Sequence, residues 1–208
     1  MKLKICGMKY ADNIKDVAKL SPDFMGFIFY PKSKRFVGED FQMPEISSEI
    51  KKVGVFVNDL VENILSKVKK YKLDLVQLHG NESSDFCAQT SKVFKTFEAG
   101  HVEIIKAFGL PCHSEPSEES FSFSFLNAYE SSCEYFLFDT KTKEYGGSGK
   151  TFDKSILMNY KLSKPFFLSG GIDLADIPYL TSHISHPFAL DVNSRFEVEH
   201  GLKDISKL

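Results

Sequence analysis

Eight short β-rich runs recur along this chain, each followed by polar and often helix-forming sequence, and that alternation constrains the fold more than any other feature. The runs are Leu3–Cys6, Phe24–Phe29, Lys52–Val57, Leu73–His79, Val102–Phe108, Tyr135–Asp139, Pro165–Ser169 and Phe188–Val192. Between them lie amphipathic stretches such as Leu60–Tyr71, where Val61, Ile64, Leu65 and Val68 recur at helical spacing, and Ser83–Phe94. Strands alternating with helices imply parallel pairing, and eight units point to a closed α/β fold, a (β/α)8 TIM barrel, rather than an open doubly wound sheet. The 208 residues fall short of the ~250 typical of that fold. A single domain spanning residues 1–208 is therefore expected, with little room for an insertion.

Two regions fit this scheme poorly. Residues 111–125 (PCHSEPSEESFSFSF) are Ser/Glu-rich with two prolines and then alternate Phe with Ser. They read as a loop that packs Phe on the outside of the barrel before a helix starting near Phe125 or Leu126. After Val192 only a short tail remains for an eighth helix, so either that helix is short or part of the barrel wall is thinly covered.

Composition narrows the class of function. A formal charge of -2, with basic residues scattered and most aromatics in apolar runs, gives no basis for nucleic-acid binding or an acidic membrane surface. No apolar run approaches the ~20 residues that cross a bilayer, and Met1-Lys2-Leu3-Lys4 leads straight into a strand-like segment. Cys6, Cys87, Cys112 and Cys133 are widely spaced without a CxxC pair, so neither a disulfide framework nor a zinc knuckle is indicated. A cytoplasmic location is expected.

In a (β/α)8 barrel the chemistry sits where the strands end at their carboxyl side. Cys6 closes the first run. A lone cysteine is commonly a small buried apolar residue, but strand alternation puts Lys4 on its face, and an inward ammonium favours the thiolate that a general base requires. Asp139 closes the sixth run, as a loop brace or as a general acid. Asp191, at the eighth, is expected to pair with Lys4 on the adjacent first strand. Three glycines around a serine (Gly146, Gly147, Ser148, Gly149) follow Asp139 and can turn N–H groups toward an anion. Gly170 and Gly171 after the seventh run, and Asn193 and Ser194 after the eighth, stand where barrels of this kind hold phosphate. A phosphorylated small-molecule substrate follows. Arg35, in the loop after the second run, is a surface charge or pairs with a substrate carboxylate. His79 invites a metal reading with Asp139 and Asp191. Metal-using barrels usually offer several histidines at strand ends and this chain offers one, so His79 is placed with the substrate-binding residues and no metal is expected.

Lys4-Ile5-Cys6-Gly7-Met8, the run from Gly26 to Val37, Val53 to Asn58, Val76 to Gly80, Asp139-Thr140, Gly146 to Phe152 and Leu168 to Ile172 together resemble the phosphoribosylanthranilate isomerases of tryptophan biosynthesis. The motifs run in order along nearly the whole chain. The resemblance implies an Amadori rearrangement of N-(5'-phosphoribosyl)anthranilate to 1-(o-carboxyphenylamino)-1-deoxyribulose 5-phosphate, the third step from chorismate, without cofactor or metal. It further implies Cys6 as general base and Asp139 as general acid, with Arg35 at the anthranilate end. Backbone amides of Gly147, Ser148, Gly170, Gly171, Asn193 and Ser194 would hold the phosphate. Two runs depart from the family pattern, Asn193-Ser194-Arg195-Phe196 and His200-Gly201-Leu202-Lys203-Asp204. Arg195 replaces a glycine, which either alters the loop or adds positive charge near the phosphate.

Two other phosphate-binding barrels compete. An indole-glycerol-phosphate synthase needs a catalytic lysine on a strand with partnered glutamates. Lys106 would end strand five, but the glutamates are not evident. A ribulose-phosphate epimerase wants more metal-ligand histidines. A non-catalytic binder is disfavoured by Cys6, Asp139 and Arg35 occurring together. Monomer and homodimer are both compatible with the sequence.

Overall fold

The computed structural model describes residues 1–96, 102–111, 122–140, 154–184 and 187–208. Its strands are β1 (Lys2–Ile5), β2 (Phe24–Ile28), β3 (Lys51–Phe56), β4 (Leu75–Leu78), β5 (Glu103–Leu110), β6 (Tyr135–Thr140), β7 (Phe166–Leu168) and β8 (Ala189–Val192). Neighbours pair in parallel in sequence order, and β1 pairs with β8 through Lys4↔Asp191 and Ile5↔Val192, which closes the barrel. The eight expected strands all form, with ends displaced by up to two residues.

Alternation sorts each strand into an inward and an outward row. Phe24, Val53, Leu75, Ile105, Leu137, Phe167 and Ala189 meet inside the barrel toward the strands' amino ends. Nearer the carboxyl ends Cys6, Ile28 and Val55 form a second interior group. The polar side chains of Lys4, Gln77 and Asp191 lie between these layers, buried and hydrogen-bonded to one another. The outward row, including Phe27, Phe56, Leu78, Ile104, Phe136 and Phe138, packs against the surrounding elements as the larger core.

The helices α1 (Ala11–Lys19), α2 (Val61–Tyr71) and α3 (Ser84–Lys95) bury the apolar stripes read from the sequence: Ile64 and Val68 on α2, Cys87 and Phe94 on α3. Ser83 Oγ accepts from Phe86 N and starts α3 as an N-cap. A short helix, α4 (Ile177–His183), follows β7.

The surrounding layer departs from strict alternation in four places. No helix follows β2. Phe41 from that loop packs instead against Phe27 and Tyr71. The helix expected near Phe125 is a 3-10 segment, Ser124–Tyr129. Six residues rich in aromatics, Ser and Asn propagate an α-helix poorly. Ahead of it Phe123 packs edge-on against Phe138 and Tyr160 on the barrel's outside, whereas Phe125 stays exposed. Residues 112–121 of the Ser/Glu-rich stretch lie outside the described residues. A second 3-10 segment, Lys154–Asn159, precedes β7. After β8 the expected eighth helix is replaced by a 3-10 turn (Ser194–Phe196), the antiparallel pair β9 (Glu197–Glu199) and β10 (Leu202–Lys203), and a terminal 3-10 turn (Ile205–Lys207). Strand β5 also runs past Lys106 to Leu110, so Lys106 lies mid-strand and not at its end.

Candidate active site

An open cavity occupies the carboxyl-terminal mouth of the barrel. Of the residues singled out in the sequence, Cys6, His79, Asp139, Gly170, Gly171, Asp191, Asn193 and Ser194 line it. Gly147 and Ser148 lie outside the described residues. Arg35 is absent from the lining, and the reason is visible. Its Nε donates to both Glu197 oxygens at 2.9 Å and its Nη2 to Oε2 at 2.7 Å, a buried pair that occupies this edge of the guanidinium. Arg195, expected either to alter the loop after the eighth run or to add positive charge near the phosphate, lines the cavity.

Cys6 follows directly on β1, and its N–H donates to the Val192 carbonyl at 2.9 Å. Inward-facing Gly26 on β2 makes room for the thiol: a β-carbon there would stand 2.7 Å from Cys6 Sγ. Lys4 lies one pleat below, fully buried, with its Nζ 2.8 Å from Gln77 Oε1 and 2.9 Å from Asp191 Oδ2. Burial acts to lower the Lys4 pKa, but Asp191 and then Cys6 outweigh it and hold the ammonium above its ordinary value. The Lys4–Cys6 coupling expected from the alternation is thus present, and by itself it acts to lower the thiol's pKa. Burial pushes the Cys6 thiol up, and Lys4 and Lys203 only partly offset it while Asp191 adds to it. Burial thus favours the thiol over the thiolate.

Asp139 stands on β6, with β8 and β7 between it and the strand of Cys6. Its side chain is about a quarter exposed, and its Oδ2 lies 3.4 Å from His79 Nε2. His79 Nδ1 is in turn 2.6 Å from Gln77 Nε2. Gln77 therefore joins two groups, Lys4 through its oxygen and His79 through its nitrogen. Gln77 has no role among the sequence expectations, although its place two residues before His79 puts it on the same face. Asp191 Oδ1 is buried and has no hydrogen-bond partner among the described residues. Among those residues no group of three His, Cys, Asp or Glu side chains is placed to hold a metal ion.

The cavity has two chemically distinct sides. Ile28, Tyr30, Val55 and Val57 from β2, β3 and their loops supply an apolar wall. Opposite, Gly170 and Gly171 take consecutive positive φ values of 89° and 66°, a turn open to glycine, beside Asn193, Ser194 and Arg195. Such a turn exposes backbone N–H groups, the raw material of an anion site. Lys106 points outward, where its Nζ reaches Glu82 Oε2 at 2.8 Å and the Gly80 carbonyl at 2.7 Å. It has the glutamate partner not evident in the sequence, but on the wrong side of the strand for chemistry in the barrel.

Comparisons with known proteins agree with this geometry. The family model described as "N-(5'phosphoribosyl)anthranilate (PRA) isomerase" matches residues 3–208. A curated relative from Parabacteroides distasonis, named N-(5'-phosphoribosyl)anthranilate isomerase, is 44% identical over 100% of this chain and 90% of its own length. A crystal structure of phosphoribosyl anthranilate isomerase from Thermus thermophilus superposes with a TM-score of 0.78, covering 100% of this chain and 94% of that one at 24% identity, a likeness of fold. A further isomerase structure, solved in complex with reduced 1-(o-carboxyphenylamino)-1-deoxyribulose 5-phosphate, gives a TM-score of 0.74 at 28% identity over 100% of this chain and 94% of that one.

Proposed function

This chain belongs to the N-(5'-phosphoribosyl)anthranilate isomerase family, and from that premise we propose how its own side chains carry out the isomerisation of N-(5'-phosphoribosyl)anthranilate in tryptophan biosynthesis. The observation that carries the assignment of roles is one cavity lined by both Cys6 and Asp139, with an apolar wall on one side and a glycine turn on the other. The phosphate lies against Gly170, Gly171, Asn193 and Ser194, with the Arg195 guanidinium at the rim. The anthranilate ring lies on Ile28 and Val55. Asp191 Oδ1, buried with no described partner, accepts a hydrogen bond from a sugar hydroxyl.

The reaction begins when Asp139 donates a proton to the furanose ring oxygen. The C1'–O4' bond breaks and the anthranilate nitrogen becomes part of an iminium. The C2' proton is then acidic, and Cys6 removes it, leaving an enolamine. Proton gain at C1' and loss from the C2' hydroxyl complete the change: C2' is oxidised to a ketone as C1' is reduced to an amine. No external oxidant or reductant enters. Because burial favours the thiol, the acting base is the Cys6 thiolate, formed by loss of the thiol proton to solvent, and the positive iminium that forms beside it stabilises that anion. Arg35, paired with Glu197, braces the loop that carries Tyr30 and Ser33 rather than meeting the substrate directly. One chain supplies every group named, so monomer and homodimer serve equally.

The test is the loss of fluorescence of freshly generated phosphoribosylanthranilate. Wild type turns it over, and Cys6→Ser and Asp139→Asn each lower kcat by roughly 10²–10⁴-fold, the usual weight of a general acid or base. An inactive wild type, or variants at full rate, would overturn the assignment.

A further inference from the structure

The pair β9–β10 that replaces the eighth helix is docked against the segment following Cys6. The Asn13 side chain exchanges two hydrogen bonds with the backbone of Lys203, at 3.0 and 2.8 Å. The Lys203 side chain is fully buried, and its Nζ donates to Asn193 Oδ1 at 2.7 Å, to the Asn193 carbonyl at 3.4 Å and to Glu197 Oε1 at 2.7 Å. Three acceptors for three donors are what an ammonium demands. Asn193 and Arg35, the two groups this network holds, both close on Gly7. A β-carbon on Gly7 would stand 2.8 Å from Asn193 Oδ1 and 2.8 Å from Arg35 Cδ. Gly7 has a φ of 75° and directly follows the base.

Resting on Cys6 as the base, we propose that Lys203 is a positioning residue of this active site: it fixes Asn193 against Gly7 and lends its positive charge to the Cys6 sulfur. The charged groups that bear on Cys6 are Lys4 from β1, Asp191 from β8 and Lys203 from β10. Gly26 faces it from β2 without charge. Lys4 is bound directly to Asp191 at 2.9 Å, so its charge is locally compensated within the barrel. Lys203 is compensated by Glu197, but Glu197 also carries the bidentate Arg35, which leaves this cluster with two cations and one anion. The surplus positive charge beside the turn after Cys6 opposes the effect of burial on the thiol. The β9–β10 pair that stands in place of an eighth helix thus acquires a place in the catalytic site.

The experiment is the pH dependence of iodoacetamide alkylation at Cys6, read by peptide mass spectrometry on the folded, full-length chain, beside kcat and KM. In Lys203→Met the alkylation midpoint rises by roughly 0.5–1 pH unit. Its kcat at neutral pH falls several-fold, and Lys203→Arg returns the midpoint toward wild type. If Lys203→Met does not fold, Lys203→Gln, which keeps a donor for Asn193 without the charge, gives the same shift. A folded Lys203→Met or Lys203→Gln protein whose Cys6 midpoint matches wild type overturns the proposal. The alkylation readout needs no substrate. An incorrect assignment of the reaction would show as absent wild-type turnover with the midpoint shift intact.

Discussion

At the scale of single residues the decisive fact is how Cys6 is surrounded. Burial raises its pKa, and the two lysines reduce that effect without reversing it. The pKa of a base in the free enzyme appears in the pH profile of kcat/KM. We therefore expect kcat/KM to rise with pH along the Cys6 titration, whose midpoint lies above the ~8.5 of a free thiol. A midpoint at or below the ordinary value, in either the rate profile or alkylation at Cys6, would contradict this. Gly26 makes a second prediction. Gly26→Ala puts a methyl 2.7 Å from the Cys6 sulfur, and that sulfur must move. Activity should fall by about 10²-fold, the cost of displacing a reacting group by roughly 1 Å, while circular dichroism shows a folded barrel. Retained activity would show that the mouth of the barrel accommodates the methyl without moving the base. The place of Cys6 and Asp139 at the mouth of the barrel was legible in the sequence because both close a β-rich run there. The fate of Arg35 was not. Its partner Glu197 lies 162 residues away, and no local spacing announces such a contact.

Among the elements, legibility followed period and length. Segments with a sustained 3.6-residue stripe became α2 and α3, because such a stripe can be buried in one way only. The described residues after β5, β6 and β8 settle into 3-10 segments and a β-pair, whose form depends on what they pack against. The loop between β4 and α3 shows how an outward pair supports the site. Glu82 accepts from Asn58 N at 2.8 Å and from Gly80 N at 2.9 Å, and binds Lys106 at 2.8 Å, with both side chains almost wholly buried. The loop so fixed carries His79, which meets Asp139. Lys106→Met leaves the Glu82 carboxylate buried without its cation. This should lower stability by about 3–5 kcal/mol in urea unfolding, as expected when one partner of a buried pair is removed. Kinetically its Michaelis constant and turnover should worsen together, as the loop loosens. A loss below 1 kcal/mol would mean that the pair is not a brace.

Over the whole molecule, the seam between β8 and β1 brings the two ends of the chain together. The Lys4–Asp191 pair, the bond from Cys6 N to Val192 and the docked β9–β10 pair all cross it. Glu197, on β9, binds Arg35 and Lys203 beside it. Burial works to raise its pKa, but Arg35 and Lys203 outweigh it and hold the carboxyl below its ordinary value. A carboxyl depressed on folding binds fewer protons in the native than in the unfolded chain. Its contribution is therefore complete above the unfolded pKa and lost as pH falls through the lower, folded one. Wild-type stability to urea should decline as pH drops below the ordinary carboxylate range, and Glu197→Gln should decline less steeply there. Parallel declines would remove Glu197 from the account of the seam. The barrel was legible from eight β-rich runs, but this seam was not, because it depends on a tail whose sequence has neither helical nor strand period.

The central claim is that Cys6 moves the C2' proton of the substrate, and the most direct measurement uses phosphoribosylanthranilate carrying deuterium at C2'. Under single-turnover conditions, which separate chemistry from product release, the wild-type rate should show a primary isotope effect, and Cys6→Ser should leave the fluorescence unchanged on the same timescale. A rate indifferent to the deuterium, or a Cys6→Ser protein that turns over as wild type does, would contradict it.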